Sequence, residues 1–155
     1  MYKDKHLYQQ KIEEMMKVYQ EVAPDCWTQK QAYKAVVEHK ASRFFILPHT
    51  LYCALQQVLN GHKPSLKFVK PSELRMYTEL LGRVTRKSES PDYHGWKLYD
   101  ICEETVREPA PEFYCEPDTF RHILYSWRRK KRERQRMLHA SRKPKDVTPQ
   151  DSPSP

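Results

Sequence analysis

Glycine is nearly missing from this chain: three residues in 155. That scarcity argues against a fold rich in tight hairpins and against a glycine-lined phosphate loop. No G-x4-G-K-[ST], G-x-G-x2-G, H-E-x2-H or G-x-S-x-G pattern occurs. No apolar run approaches membrane-spanning length. The opening residues Met1-Tyr2-Lys3-Asp4-Lys5-His6 lack the apolar stretch of a secretory signal. The expectation is a soluble, cytoplasmic protein with no membrane partner.

Cysteine chemistry is sparse as well. Cys26, Cys53, Cys102 and Cys115 contain no C-x2-C pair, and Cys102, Cys115 and His122 match no common zinc spacing. Reduced thiols are expected, with Cys102 packed on an apolar helix face. The seven histidines are scattered, and neighbouring carboxylates such as Glu13-Glu14 and Glu103-Glu104 fall on polar helix faces. These residues supply no catalytic set, metal set or cofactor site. The expectation is a protein that is not an enzyme.

What is present is a stretch that occurs twice. A shift of 69 positions places Trp27 on Trp96, Val37 on Val106, Ala41 on Ala110, Phe44 on Phe113, Pro48 on Pro117, Thr50 on Thr119 and Leu55 on Leu124. Seven identities in 32 gap-free positions exceed the roughly two that average composition yields. Such self-similarity points to a repeated structural unit. Residues 27–58 and 96–127 are therefore expected to superpose, with Phe44 and Phe113 buried at matching places.

Apolar spacing fills in the elements. Tyr8, Ile12, Met15, Met16, Tyr19 and Val22 predict a helix over 6–22, ended by Ala23-Pro24-Asp25. Asp25 is placed to cap the next helix, about 26–39, which carries Ala32, Tyr33, Val36 and Val37. Its counterpart, about 96–107, carries Ile101, Cys102, Thr105 and Val106. Trp27 and Trp96 begin these helices and are expected to be packing anchors rather than ligand-stacking residues.

The runs 43–47 and 112–116 favour extended backbone, and their pairing as a small two-stranded sheet is an option. Pro48 and Pro117 suit the first helical position. The helices they open carry Leu51, Ala54, Leu55 and Val58 in one case and Phe120, Ile123, Leu124 and Trp127 in the other. A helix over 72–86, with Leu74, Tyr77, Leu80, Leu81 and Val84, matches 6–22 at an offset of 65.

The fold expectation is thus mostly α. Two tandem copies of a three-helix unit each hold a short extended segment before the third helix, and a basic C-terminal helical extension follows. The expected layout is a first unit over 1–62, a linker over 63–71, a second unit with its extension over 72–139, and a disordered tail over 140–155.

Charge is distributed unevenly. The net charge is +8, and residues 128–155 hold ten Lys or Arg against three acids, so they carry +7 and the remainder +1. Arg128, Arg129, Lys130, Lys131, Arg132, Arg134 and Arg136 fall within nine positions, and no Pro or Gly occurs from Thr119 through Ser141. A continuous basic helix suits phosphate, through counterion release and the bidentate geometry of arginine. One turn of positive charge would satisfy the helix dipole, and this run is longer. In a eukaryotic chain a nuclear-import signal would compete.

Gln56 and Gln57, whose amides can pair with adenine edges, and Arg43 ahead of their helix are candidates for base reading in a helix-turn-helix-like arrangement. Against that arrangement, the link between the second and third helices is about nine residues, where the usual turn has three or four. Glu112, Glu116 and Asp118 at the second copy's third helix would also repel phosphate. The partner expected is nucleic acid, with DNA ahead of RNA. The alternative is a protein–protein adaptor or scaffold built on the duplicated helical unit.

Ala41-Ser42-Arg43-Phe44-Phe45, Pro64, Pro71, Met76-Tyr77 and Ala110-Pro111-Glu112-Phe113-Tyr114 resemble small helical proteins of unassigned function from Bacteroidetes genomes and their mobile elements. The resemblance covers roughly residues 27–127 and leaves the basic tail outside. It implies a bacterial or phage setting and carries no catalytic or binding residues with it.

Overall fold

A computed structural model of the chain describes residues 4–61 and 70–142. The described residues are mostly helical. Six helices follow in order: α1 Lys5–Val22, α2 Gln29–Glu38, α3 Pro48–Leu59, α4 Pro71–Glu89, α5 Leu98–Val106 and α6 Pro117–Arg142. Short 3-10 turns at Ala23–Asp25 and Pro91–Tyr93 precede α2 and α5. The described residues up to Phe120 gather into one compact unit, and those from Arg121 form a second. The linker expected over 63–71 falls mostly outside the described residues, and its last residue, Pro71, already opens α4. Of the tail expected to be disordered over 140–155, residues 140–142 are helical and the rest lies outside the described residues.

Local chemistry explains the helix ends. Asp4 accepts the His6 N–H at 2.9 Å and caps α1. Prolines open α3, α4 and α6, where a missing N–H costs no helical hydrogen bond. Asn60 closes α3, and Gly61 follows at φ +79°, a left-handed conformation suited to glycine at a helix end. Asp25 does not cap α2. It is consumed by the 3-10 turn, and Thr28 takes the role by accepting the Gln31 N–H at 3.1 Å.

In the first unit α1 packs on α2, α4 on α5, and α3 on α5. The core gathers Met15, Met16, Val36, Val37, Leu51, Leu80, Val84, Ile101, Cys102 and Val106, with the Phe120 ring set against Tyr19 and Tyr33, each at 5.8 Å. The buried face of α1 is Leu7, Met15, Met16 and Val18, while Tyr8 is 42% exposed.

At the centre of the first unit the segments after α2 and α5 exchange hydrogen bonds. Ala41 N–H donates to the Ala110 carbonyl and Ala110 N–H to the Ala41 carbonyl, both at 3.0 Å. Phe44 N–H donates to the Val106 carbonyl at 3.0 Å, and Phe113 N–H to the Val37 carbonyl at 3.2 Å. A 69-residue shift maps each bond onto the other. The rings follow the same rule: Phe44 stacks on Tyr114 at 5.8 Å and Phe45 on Phe113 at 6.3 Å. Phe44 and Phe113 are 1% and 2% exposed.

A two-stranded sheet does not form among the described residues. One antiparallel bridge, Ala41 with Ala110, stands in its place. The stacked aromatic rings hold the following residues by their side chains, and Tyr114 turns the backbone to φ +54°, away from strand geometry.

The expectation that Trp27 and Trp96 are packing anchors also fails. Both precede their helices, which begin at Gln29 and Leu98. Trp27 is 94% exposed and Trp96 46%. The fully buried residues of these helices start at Ala32 and Ile101, and neither indole extends that buried face.

Candidate nucleic-acid interface

The second unit contains the basic stretch. Helix α6 runs unbroken from Pro117 to Arg142, so Arg128, Arg129, Lys130, Lys131, Arg132, Arg134 and Arg136 all stand on one helix. Every one of them is exposed. At 1.5 Å per residue, the step from Arg128 to Arg136 spans about 12 Å. At 3.6 residues per turn, seven cations in nine positions surround the axis rather than forming one stripe. Glu133 is the one acid among them, and it is exposed too. Arg132 Nε donates to the Arg128 carbonyl at 3.4 Å, folding that guanidinium back along its own helix. The last turns carry Met137 and Leu138, both exposed.

The base-reading candidates of the first unit sit apart along the sequence of elements. Arg43 lies ahead of α3, half-buried, with its Nε donating to the Phe44 carbonyl at 3.1 Å. Burial, and then the like charge of Arg107, lower its pKa from the ordinary guanidinium value. Its donor is thus partly committed to the backbone. Gln56 is half-buried and Gln57 exposed, and both stand in the last turn of α3. They are about 12 Å along the axis from Pro48. Recognition helices meet base edges with their N-terminal residues. Here that end offers His49 and Thr50 instead. The connections from α2 to α3 and from α5 to α6 run over residues 39–47 and 107–116, longer than the usual turn of the helix-turn-helix motif.

The acids ahead of α6 have structural partners. Glu112 receives Arg75 Nη2 at 2.9 Å. Glu116 accepts the Ser72 N–H at 3.0 Å, which places a carboxylate on the first turn of α4, where the helix dipole favours it. Sequence spacing could not show this, because the partners are 37 and 44 residues away.

A second ionic cluster joins α4 to α5. Arg83 meets Glu79 at 2.8 Å and Glu108 at 3.1 Å, and its guanidinium lies 4.9 Å from the Phe44 ring centre. Lys87 pairs with Glu108 and donates to Thr105 Oγ1 at 3.1 Å. Both cations are paired with carboxylates of their own chain.

The buried thiols behave as core atoms. Burial pushes Cys102 up to about 11, so it stays protonated at neutral pH. No group of three or more His, Cys, Asp or Glu side chains among the described residues is arranged to hold a metal ion. No helix among them is long and apolar enough to cross a membrane. No family model matches the chain, and no curated protein or solved structure matches it either.

Proposed function

We propose that this chain is a non-enzymatic nucleic-acid-binding protein, with DNA ahead of RNA as its target. A regulator or accessory factor of a bacterial mobile element or phage is the setting that fits it. The observation that carries this reading is the exposed, unbroken basic helix from Arg128 to Arg136. A body of net charge +1 attached to a segment of +7 concentrates its attraction for phosphate in one element. Arg43, Gln56 and Gln57 remain candidates for a secondary, base-directed contact.

We also read residues 27–58 and 96–127 as copies of one duplicated helical unit. The support is the reciprocal exchange of hydrogen bonds and ring stacks between positions 69 apart. In this reading the duplication is the scaffold, and the basic extension is what the second copy adds to it.

The test is a titration of the whole chain against mixed-sequence DNA and RNA at two salt concentrations. Binding that weakens steeply with salt is the expected result. The adaptor reading draws support from the exposed apolar end of α3, where Leu59 is 71% exposed beside Val58. Absence of binding at low salt would put that reading first.

A further inference from the structure

We propose that Trp27 is a stacking platform for an unpaired base, so that the nucleic acid bound by this chain is single-stranded or has single-stranded stretches. The inference rests on the nucleic-acid reading above and names the form of its ligand.

The indole is 94% exposed. Tryptophan normally buries roughly 150–250 Å² of surface, so an indole in water forgoes a large hydrophobic gain. The backbone beneath it is fixed. Gln31 N–H donates to Thr28 Oγ1 at 3.1 Å, and Trp27 N–H donates to Gln31 Oε1 at 3.0 Å. This is a shifted form of the reciprocal capping box: the side chain of Gln31 reaches one residue further back, to the residue before the cap. A ring whose backbone is already tied loses less freedom when a ligand settles on it.

The surroundings favour a base over a protein surface. The exposed positions of α2 are Gln29, Lys30, Gln31, Lys34 and Glu38, with no large apolar side chain among them. A protein hot spot sits at the centre of a desolvated apolar patch, and no such patch surrounds Trp27 on α2. Lys30 and Lys34 stand one helical turn apart and share a face. Neither is ion-paired among the described residues, and the first turn of α2 holds no acid. Asp25, in the preceding 3-10 turn, is the nearest acid in sequence. An exposed indole followed in sequence by a helix that carries exposed Lys30 and Lys34 suits a base and its phosphates, and stacking tolerates any base because each has a π-face. Trp96, at the shifted position, is partly covered by Tyr93, whose ring meets it edge-on at 4.9 Å. It is the poorer platform.

The experiment measures anisotropy of labelled oligo(dT), oligo(rU) and a DNA duplex of equal length with the full chain. Trp27→Ala should weaken single-strand binding about tenfold, in the range that alanine substitution of stacking aromatics produces. It should leave duplex affinity and the salt slope unchanged, and Trp27→Phe should retain most of the single-strand affinity. The exposure of Trp27 keeps these substitutions away from the core. In a W96F/W127F background, the remaining indole should be quenched by oligo(dT) and not by the duplex. Equal single-strand affinity for Trp27→Ala and the parent, or equal weakening of all ligands, would overturn the inference while leaving the basic helix in place. A parent that binds no strand at low salt would overturn the nucleic-acid reading and this one together, leaving a protein partner for the exposed indole.

Discussion

Helices α3 and α6 begin alike and end differently. Each opens on a proline, follows it two residues later with threonine, and buries its fourth and eighth residues: Leu51 and Leu55 in α3, Phe120 and Leu124 in α6. Beyond that they diverge. Helix α3 has no Lys, Arg, Asp or Glu, and it stops at Asn60-Gly61. Helix α6 continues for more than twice that length with cations all around it. The shared part answers to packing, because it enters a core. The unshared part is released from packing, and there the sequence is free to acquire charge. A basic surface in this protein is therefore expected where α6 outlasts α3, and the comparison can be attacked at each point.

The largest effect should come from the shared part. Phe120→Ala removes a fully buried ring that meets Tyr19 and Tyr33, and should cost about 3–5 kcal/mol. Leu51→Ala, at the matching position of α3, should cost about 2–5 kcal/mol. Denaturant unfolding of both variants measures this, and a small loss at either position would break the equivalence of the two openings.

The next effect tests the unshared part. Replacing Arg128, Arg129, Lys130, Lys131 and Arg132 with glutamine should lower nucleic-acid affinity. It should also flatten the log–log salt dependence by roughly 0.9 for each duplex phosphate that the variant no longer neutralises. Stability should stay within about 0.5 kcal/mol per exposed site, because none of these side chains is buried and Gln is nearly as good a helix former. Affinity unchanged from the parent would show that the extension is not the binding element.

A smaller effect belongs to the stop signal. Gly61 holds φ +79° with open space where a Cβ would be. Gly61→Ala should therefore cost only the backbone preference, about 1 kcal/mol. Thermal unfolding reads it, and no loss at all would mean that the end of α3 is set elsewhere. The smallest effect is expected from Gln56→Ala with Gln57→Ala. That change should leave non-specific affinity nearly intact and lower discrimination among sequences. Competition between two defined sites measures it, and unchanged discrimination would remove base reading from α3.

The sequence alone determined those features that depend on neighbours along the chain. The helical spacing of Met15, Met16 and Tyr19, the proline starts at Pro48 and Pro117, and the unbroken run through Arg136 were all legible. Helix formation is a local matter of spacing, caps and breakers. The burial of Phe44 and Phe113 was legible as well, because the 69-residue shift marked both at once.

Tertiary structure alone decided what depends on partners far along the chain. Where pairing of the two extended segments as strands was an option, it set the single Ala41–Ala110 bridge and stacked rings. It tied Glu112 to Arg75 and Glu116 to the first turn of α4. It left Trp27 in solvent. A side chain's type fixes what it can bond. Whether it meets core, carboxylate or water is fixed by which distant segment lies beside it, and spacing along the chain does not encode that juxtaposition.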